Sequence, residues 1–248
     1  PMDPWMMDMK PFLRASDSQY RPASAPDMTS AQYATDLNEV KAIGGTVSAV
    51  RTPEQTAVAL FWTTNMVIQT NAAYRQLAES RGLNLLDTAR LMALGNMVAT
   101  DSLIFTFDTK YTYNFWRPIT AIQRADTDGN ALTDPDTTWT PLVINPSFPE
   151  YVAGHGSFVS SQAEVYATVF GTQQIEIDLS STTTGATRHY ATTTDLRTEV
   201  GNARIWGGIH FRSSNVLAEG LGKQLVQDAV ATYFKTAPSL STHELSSG

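Results

Sequence analysis

The sequence predicts an all-α fold, a helical bundle of about six helices joined by long loops. The segment Thr52-Pro53-Glu54-Gln55 has the pattern of a capping box with proline at the first helical position. It opens an amphipathic run that reaches Arg81 and stops at Gly82. The run from Leu85 to Phe107 is apolar on most sides, which is typical of a central bundle helix. The sequence shows neither an internal repeat nor an alternation of strand and helix segments.

The remaining segments divide into an irregular start, a central loop and three further helices. Residues 1–29 contain five prolines and keep no helical or strand period, and residues 118–149 are rich in Asp and Pro and contain the turn Asp128-Gly129. Helical periodicity returns at 156–170, 194–209 and 215–234, the last with Ser214 as its expected N-cap. We therefore predict an irregular N-terminal arm over residues 1–29 and a single α-helical domain over residues 30–248.

Composition limits the classes of protein to which the chain can belong. The 248 residues are 42% hydrophobic, carry a formal net charge of −7 and contain no cysteine. An acidic chain of this kind lacks the broad basic face that nucleic-acid binding needs, and it can form neither disulfides nor thiolate metal sites. No apolar run has membrane-spanning length. Because the chain begins at Pro1, we expect that a signal peptide or larger N-terminal part was removed, and we favour a secreted or periplasmic location.

Two segments nevertheless carry groups that could bind an anion. The first is aromatic and contains two cations, and the second is a histidine between two glycines. Lys110 and Arg117 are seven residues apart, so on one continuous helix they would return to nearly the same face. Arginine offers a planar fork of donors and lysine a compact charge, a combination suited to a tetrahedral oxyanion. Gly154-His155-Gly156 precedes an apolar helical run, where free backbone N–H groups favour an anion.

A third segment adds a further cation and a second imidazole. Arg204 and His210 are six residues apart, which places them on different faces of an unbroken helix. They can converge on one ligand if the helix ends or bends, and Gly207-Gly208 permits either. The other histidines, His189 and His243, lie in polar, irregular surroundings and are not expected to take part.

Taken in order, these three segments resemble a known signature. Lys110-x6-Arg117-Pro118, Val152-Ala153-Gly154-His155 and Ala203-Arg204-x5-His210 are similar to the K-x6-R-P, P-S-G-H and S-R-x5-H-x3-D motifs of vanadium-dependent haloperoxidases and type 2 phosphatidic acid phosphatases. The neighbouring sequences 147–151 and 207–212 resemble the soluble bacterial haloperoxidase branch. The resemblance implies the all-α fold of the vanadium haloperoxidase and acid phosphatase type.

The resemblance also implies how the cofactor is held. Lys110, Arg117 and Arg204 would bind the oxygens of vanadate, with help from the backbone N–H of Gly154. His210 would be the protein ligand to the metal. Phosphate or sulfate could occupy the same site, because both are tetrahedral oxyanions.

Two further roles follow from the same resemblance, and they concern the chemistry. His155 would act as general acid and base, and Phe107 and Phe148 would border the halide. The implied reaction is the oxidation of a halide by hydrogen peroxide to hypohalous acid, which then meets a small organic substrate. Phenylalanine at position 107 favours bromide or iodide over chloride. Members of this kind often form homo-oligomers, and we extend that expectation to this chain.

Three departures from the signature weigh on the choice of activity. Ala153 and Ala203 stand where the family has serines, and Ser214 stands where it has the closing aspartate. Without that aspartate we expect no carboxylate to orient the ring of His210, which a histidine nucleophile needs more than a metal ligand does. We therefore favour a haloperoxidase. An acid phosphatase or phosphotransferase with a histidine nucleophile and a non-catalytic anion-binding protein remain as alternatives.

Overall fold

The computed structural model describes residues 2–16 and 18–235. Its α-helices are α1 (Ala31–Ile43), α2 (Pro53–Phe61), α3 (Met66–Ser80), α4 (Leu85–Tyr113), α5 (Pro118–Gln123), α6 (Gly154–Phe170), α7 (Thr193–Trp206) and α8 (Arg212–Thr232). Two strands, β1 (Gln174–Ser180) and β2 (Thr187–Thr192), pair as an antiparallel hairpin. Short 3-10 helices cover Pro4–Asp8 and Ala125–Thr127.

Helix α6 lies at the centre of the bundle and packs against α4, α7 and α8. Its middle section is buried on nearly all sides, with Phe158, Val159, Val165 and Tyr166 each at most 1% exposed. A helix that is apolar around its circumference must be covered by other helices, so these contacts define the core. The prediction of an all-α bundle is confirmed. Within the part of the chain that is described, no helix has both the length and the apolar character required to cross a bilayer.

Several helix boundaries differ from the prediction for local reasons. The run expected from Thr52 to Arg81 is two helices, because the side chain of Asn65 accepts hydrogen bonds from the backbone N–H groups of residues 67 and 68 and starts a new helix. The capping box at Thr52 is present as predicted. The prediction that Ser214 caps the last helix was wrong, because Phe211 is the N-cap and Ser214 lies buried inside α8.

The hairpin β1–β2 was not predicted. In β1 buried and exposed positions alternate strictly, and Ile175, Ile177 and Leu179 are each 1% exposed. This period of two is the expected signal of a half-buried strand, and it is visible in the sequence of residues 174–180. The buried face of the hairpin joins the core of the bundle and packs on α3.

The N-terminal segment follows an irregular path over α4. Its 3-10 helix contacts α4, and Asp101 of α4 accepts hydrogen bonds of 2.8 Å from the backbone N–H groups of Phe12 and Leu13. Arg21 forms an ion pair with Asp108 on the same helix. The segment is therefore anchored by buried carboxylates. The division into an arm of residues 1–29 and a domain of residues 30–248 stays a prediction.

Candidate anion-binding site

Lys110 and Arg117 meet because the chain turns between them. Helix α4 ends at Tyr113, and Asn114 adopts the left-handed conformation with φ 47° and ψ 44°. Arg117 is then the N-cap of α5. The prediction that the two cations share one helix face was wrong, since the helix ends between them. The K-x6-R-P spacing instead spans a helix end, a turn and the start of the next helix.

Backbone carbonyl oxygens hold both of these cations in place. Lys110 Nζ donates to the carbonyls of residues 149 and 150 over 3.0 and 2.7 Å. Arg117 donates from Nε to the carbonyl of residue 148 and from Nη1 to that of Ile209, each over 2.8 Å. These partners are uncharged, so they fix the positions of Lys110 and Arg117 without neutralising their charge.

Arg204 and His155 lie together along one cleft of the site. Arg204 lies in the last turn of α7, is 5% exposed and donates from Nη1 to the carbonyl of Trp62 over 2.8 Å. His155 is the second residue of α6, directly after Gly154. Ala153 is the N-cap of α6 and provides no side-chain cap. The first turn of α6 therefore presents its positive dipole end beside the imidazole.

His210 reaches the site because α7 ends before it. The helix stops at Trp206, and Gly208 adopts φ 78°, so the chain reverses and carries His210 back toward Arg204. A Cβ atom at Gly208 would lie 2.2 Å from the carbonyl oxygen of Gly44, so this close approach requires glycine. His210 is 2% exposed, and its Nε2 lies 3.2 Å from Nη1 of Arg117.

Glu150 supplies the carboxylate that the sequence was expected to lack. Its Oε1 lies 2.7 Å from Nδ1 of His210 and accepts a hydrogen bond of 3.1 Å from the backbone N–H of Phe211. The prediction that no carboxylate orients His210, drawn from Ser214, was therefore wrong. The sequence feature that could have indicated this carboxylate is the position of Glu150, an acidic residue four positions before Gly154.

Burial perturbs every ionisable group in this cluster. Desolvation, reinforced by Arg117, lowers the pKa of Arg204 to about 9, and desolvation lowers that of Arg117 to about 10. Burial also lowers the pKa of Lys110 well below its usual value, and Arg117 and Arg204 add to this effect. Desolvation raises the pKa of Glu150. Arg117 and Arg204 stay charged at pH 7 and face the buried Glu150 together with Lys110, so the site keeps an excess of positive charge.

The imidazoles of His155 and His210 are both neutral at pH 7. Burial is the main reason why the pKa values of His155 and His210 lie well below the usual value. The charges of Lys110, Arg117 and Arg204 lower both values further. Arg117 contacts His210, and Arg204 and His155 line one cleft together with Ile209, so these side chains belong to one cluster.

Unpaired donors indicate what this cluster accepts. Among the described residues, Nη2 of Arg117, Nε of Arg204 and Nε2 of His155 are buried without a hydrogen-bond partner. Oε2 of Glu150 also lacks a partner, but it is an acceptor. The two guanidinium nitrogens are donors, and because buried donors normally have partners, they indicate an acceptor that binds between them. A tetrahedral oxyanion such as vanadate provides acceptor oxygens together with negative charge, and the residues present therefore fit it. The described part of the chain offers no group of three His, Asp or Glu side chains arranged for a bare metal cation.

The two predicted halide-site aromatics also lie beside this cluster. The ring centroids of Phe107 and Phe148 are 5.2 Å apart. The Phe148 ring lies 4.8 Å from the Arg117 guanidinium carbon and 5.2 Å from Lys110 Nζ. His189 lies elsewhere, exposed on the hairpin with Nδ1 2.9 Å from Asp178. His243 falls outside the described residues.

The sequence of residues 90–237 matches the family described as the VCPO second helical-bundle domain. The chain belongs to this family. The matched span includes all three motif segments and both aromatic positions. The chain is also 28% identical to vanadium chloroperoxidase from Curvularia inaequalis, a match that covers 58% of this chain and 29% of that protein.

Solved structures share the fold at low sequence identity. A bacterial vanadium-dependent iodoperoxidase superposes with a TM-score of 0.77 at 23% identity, over 93% of this chain and 57% of that one. The holo form of a bacterial vanadium-dependent chloroperoxidase gives a TM-score of 0.73 at 18% identity, over 91% and 53% of the two chains. The chain thus spans little more than half of these structures and less than a third of the curated relative.

Proposed function

We propose that this chain carries the active site of a vanadate-dependent haloperoxidase, which oxidises a halide with hydrogen peroxide to hypohalous acid. The observation that carries the proposal is the buried cluster of Lys110, Arg117 and Arg204 around two neutral imidazoles, with unpaired donors aimed into it. Relatives named as vanadium chloroperoxidase and vanadium-dependent iodoperoxidase support the same activity. Bromide or iodide as the preferred halide, a secreted or periplasmic location and a homo-oligomeric state stay predictions.

The three cations and the first turn of α6 would hold the oxygens of vanadate. Lys110 and Arg117 approach from the α4–α5 connection, Arg204 approaches from α7, and Gly154 offers a backbone N–H group. When bound, vanadate supplies a Lewis acid that makes hydrogen peroxide electrophilic toward halide without a change in oxidation state. The cations would stabilise the negative charge that moves onto oxygen during that reaction.

Glu150 decides which nitrogen of His210 is available to the metal. The hydrogen bond from Nδ1–H to the Glu150 carboxylate fixes the tautomer in which Nε2 keeps its lone pair. Nε2 accepts a hydrogen bond of 3.2 Å from Nη1 of Arg117, and coordination of a metal would replace this contact. His210 would therefore coordinate through Nε2, and Glu150 would act as a positioning residue.

His155 is suited to move the proton of the oxidant. Its pKa is lowered by burial and by the neighbouring cations, so the ring is a neutral base at pH 7. Its Nε2 is buried and has no partner among the described residues. We assign His155 the role of taking a proton from hydrogen peroxide and returning it to the departing oxygen.

A phosphatase is the second candidate, and the Glu150–His210 pair favours it. A carboxylate that orients an imidazole is also what a histidine nucleophile requires, so the residue at position 214 no longer counts against phosphoryl transfer. Ala153 remains a departure from both families. The two activities differ in their cosubstrates and can be assayed separately.

The test is to add orthovanadate to the anion-free protein and to follow bromination of phenol red with peroxide and bromide. We expect turnover that depends on vanadate and is lost in His210→Ala, while His189→Ala, a change at an exposed histidine, retains it. Hydrolysis of p-nitrophenyl phosphate, inhibited by vanadate and without bromination, would establish the phosphatase instead. Failure of both assays would support a non-catalytic anion-binding protein.

A further inference from the structure

A cleft of about 510 Å³ opens onto the cationic site from the protein surface. Arg204 and His155 line it, and the remaining lining residues are apolar side chains and two threonines. The apolar part includes Leu60, Trp62 and Ile144. This volume falls within the range of about 300–1,000 Å³ that small-molecule sites occupy. It exceeds what peroxide and a halide need, so the cleft has room for an organic molecule.

The charges in the cleft limit which molecules it accepts. Among the described residues that line it, Arg204 is the charged one and none is acidic. His155, the other ionisable group, has a lowered pKa and is neutral. A cationic molecule would therefore lack a counter-charge and meet the field of Arg204. An anionic group would be drawn to the cationic site, where it competes with vanadate. An uncharged molecule avoids both difficulties.

The rim of the cleft is apolar and structurally fixed. Ile144 is 93% exposed and Leu60 is 38% exposed, so two apolar side chains border the opening. The hydroxyls of Thr64 and Thr182 hydrogen-bond over 2.6 Å, which ties the β1–β2 turn to the α2–α3 connection. This bond links the two walls that carry Thr63 and Thr183, so the cleft is preformed.

From this geometry we propose that the cleft binds the organic acceptor of the halogen, an uncharged, electron-rich aromatic molecule of one or two rings. The bound ring would lie against the exposed apolar side chains of Leu60 and Ile144, with its edge toward His155. This acceptor role rests on the proposed haloperoxidase function. Hypohalous acid would transfer its halogen to a ring carbon, the C–H bond would break, and the released proton would combine with hydroxide to form water.

Binding can be measured without any turnover, by calorimetric titration of the protein with 2-naphthol. Thr183→Trp adds a large side chain to an exposed turn at the cleft wall, and we expect it to weaken 2-naphthol binding by about tenfold, or about 1.4 kcal/mol. Ile144→Asn should weaken it by a smaller factor. Leu132→Asn is the matched control, because Leu132 is 62% exposed and does not line the cleft. Orthovanadate affinity should be the same in all three variants.

The results separate this inference from the proposed function. If 2-naphthol does not bind, or binds equally to the wild type and Thr183→Trp, the cleft is not an acceptor site, whatever the halide assay shows. If 2-naphthol binds as expected but vanadate and peroxide oxidise no halide, the cleft is a binding site and the haloperoxidase proposal fails. A cationic analogue, 2-naphthylmethylamine, should bind more weakly than 2-naphthol, and equal binding would overturn the charge argument.

Discussion

Replacing Arg204 with methionine should change stability and anion binding in opposite directions. Arg204 is 5% exposed, and burial together with Arg117 lowers its pKa to about 9, so the guanidinium remains charged at pH 7 where little water solvates it. Methionine has a similar length and no charge. The anion-free protein should therefore become more stable, although the side chain that binds the anion is lost.

The magnitude follows from the cost of burying the charge. A tenfold change in a protonation equilibrium corresponds to about 1.4 kcal/mol, so the fall from 12.5 to about 9 corresponds to roughly 5 kcal/mol. Loss of the hydrogen bond to the carbonyl of Trp62 offsets about 1.5–3 kcal/mol of this gain. We expect Arg204→Met to raise the free energy of unfolding by about 2–3.5 kcal/mol without an anion.

Urea unfolding with and without orthovanadate measures both effects. At a vanadate concentration of about 100 times its Kd, the wild type should gain about 2.7 kcal/mol, and Arg204→Met should gain almost none of it. Arg212→Met is the control, because Arg212 is partly exposed and pairs with Glu39 away from the cluster. That variant should keep the full gain from vanadate. A less stable Arg204→Met that still gains the full 2.7 kcal/mol would refute the reasoning.

The remaining predictions concern the helix start, the chain reversal and pH. Ala153→Ser should tighten vanadate binding by roughly 1–2 kcal/mol in calorimetry, and an unchanged Kd would place residue 153 away from the anion. Gly208→Ala should lower the free energy of unfolding by about 2 kcal/mol or more, because its Cβ would lie 2.2 Å from the carbonyl oxygen of Gly44 at φ 78°. Gly201→Ala, where a Cβ meets nothing within 4 Å, should not destabilise. The two site histidines have lowered pKa values, so below pH 6.5 the unfolded chain binds protons that the native protein does not. The raised pKa of Glu150 opposes this in part, so without an anion the free energy of unfolding should fall as the pH falls below 6.5, by about 1.4 kcal/mol per pH unit for each net proton that the unfolded chain takes up. Unfolding curves that are flat between pH 7 and pH 5 would contradict the burial of neutral imidazoles.

Local signals accounted for most of the fold. Capping residues and apolar periodicity predicted the start of α2 and most of α4, α6 and α7, because these signals act within a few residues. The prediction did not separate α2 from α3, although Asn65 is a strong N-cap residue. The alternation in residues 174–180 also went unused, because a single short hairpin departs from an otherwise helical pattern.

The sequence predicted which residues belong to the site, but it did not predict which of them are hydrogen-bonded to one another. The motifs indicated which cations and imidazoles belong together, and the fold brings those side chains into one cluster. The pairing of Glu150 with His210 spans sixty residues of sequence, so it depends on how α6 and α8 pack and has no local signature. Lys110 and Arg117 lie close together because the chain turns at Asn114, and the helical spacing of the two residues did not predict this turn.

Calorimetric titration of the anion-free protein with orthovanadate tests the central claim most directly. A cluster of three cations and two neutral imidazoles with unpaired donors predicts one binding event per chain, displaced by phosphate and weakened by more than tenfold in Arg204→Met. An absence of binding heat, or the same affinity in the wild type and Arg204→Met, would contradict it.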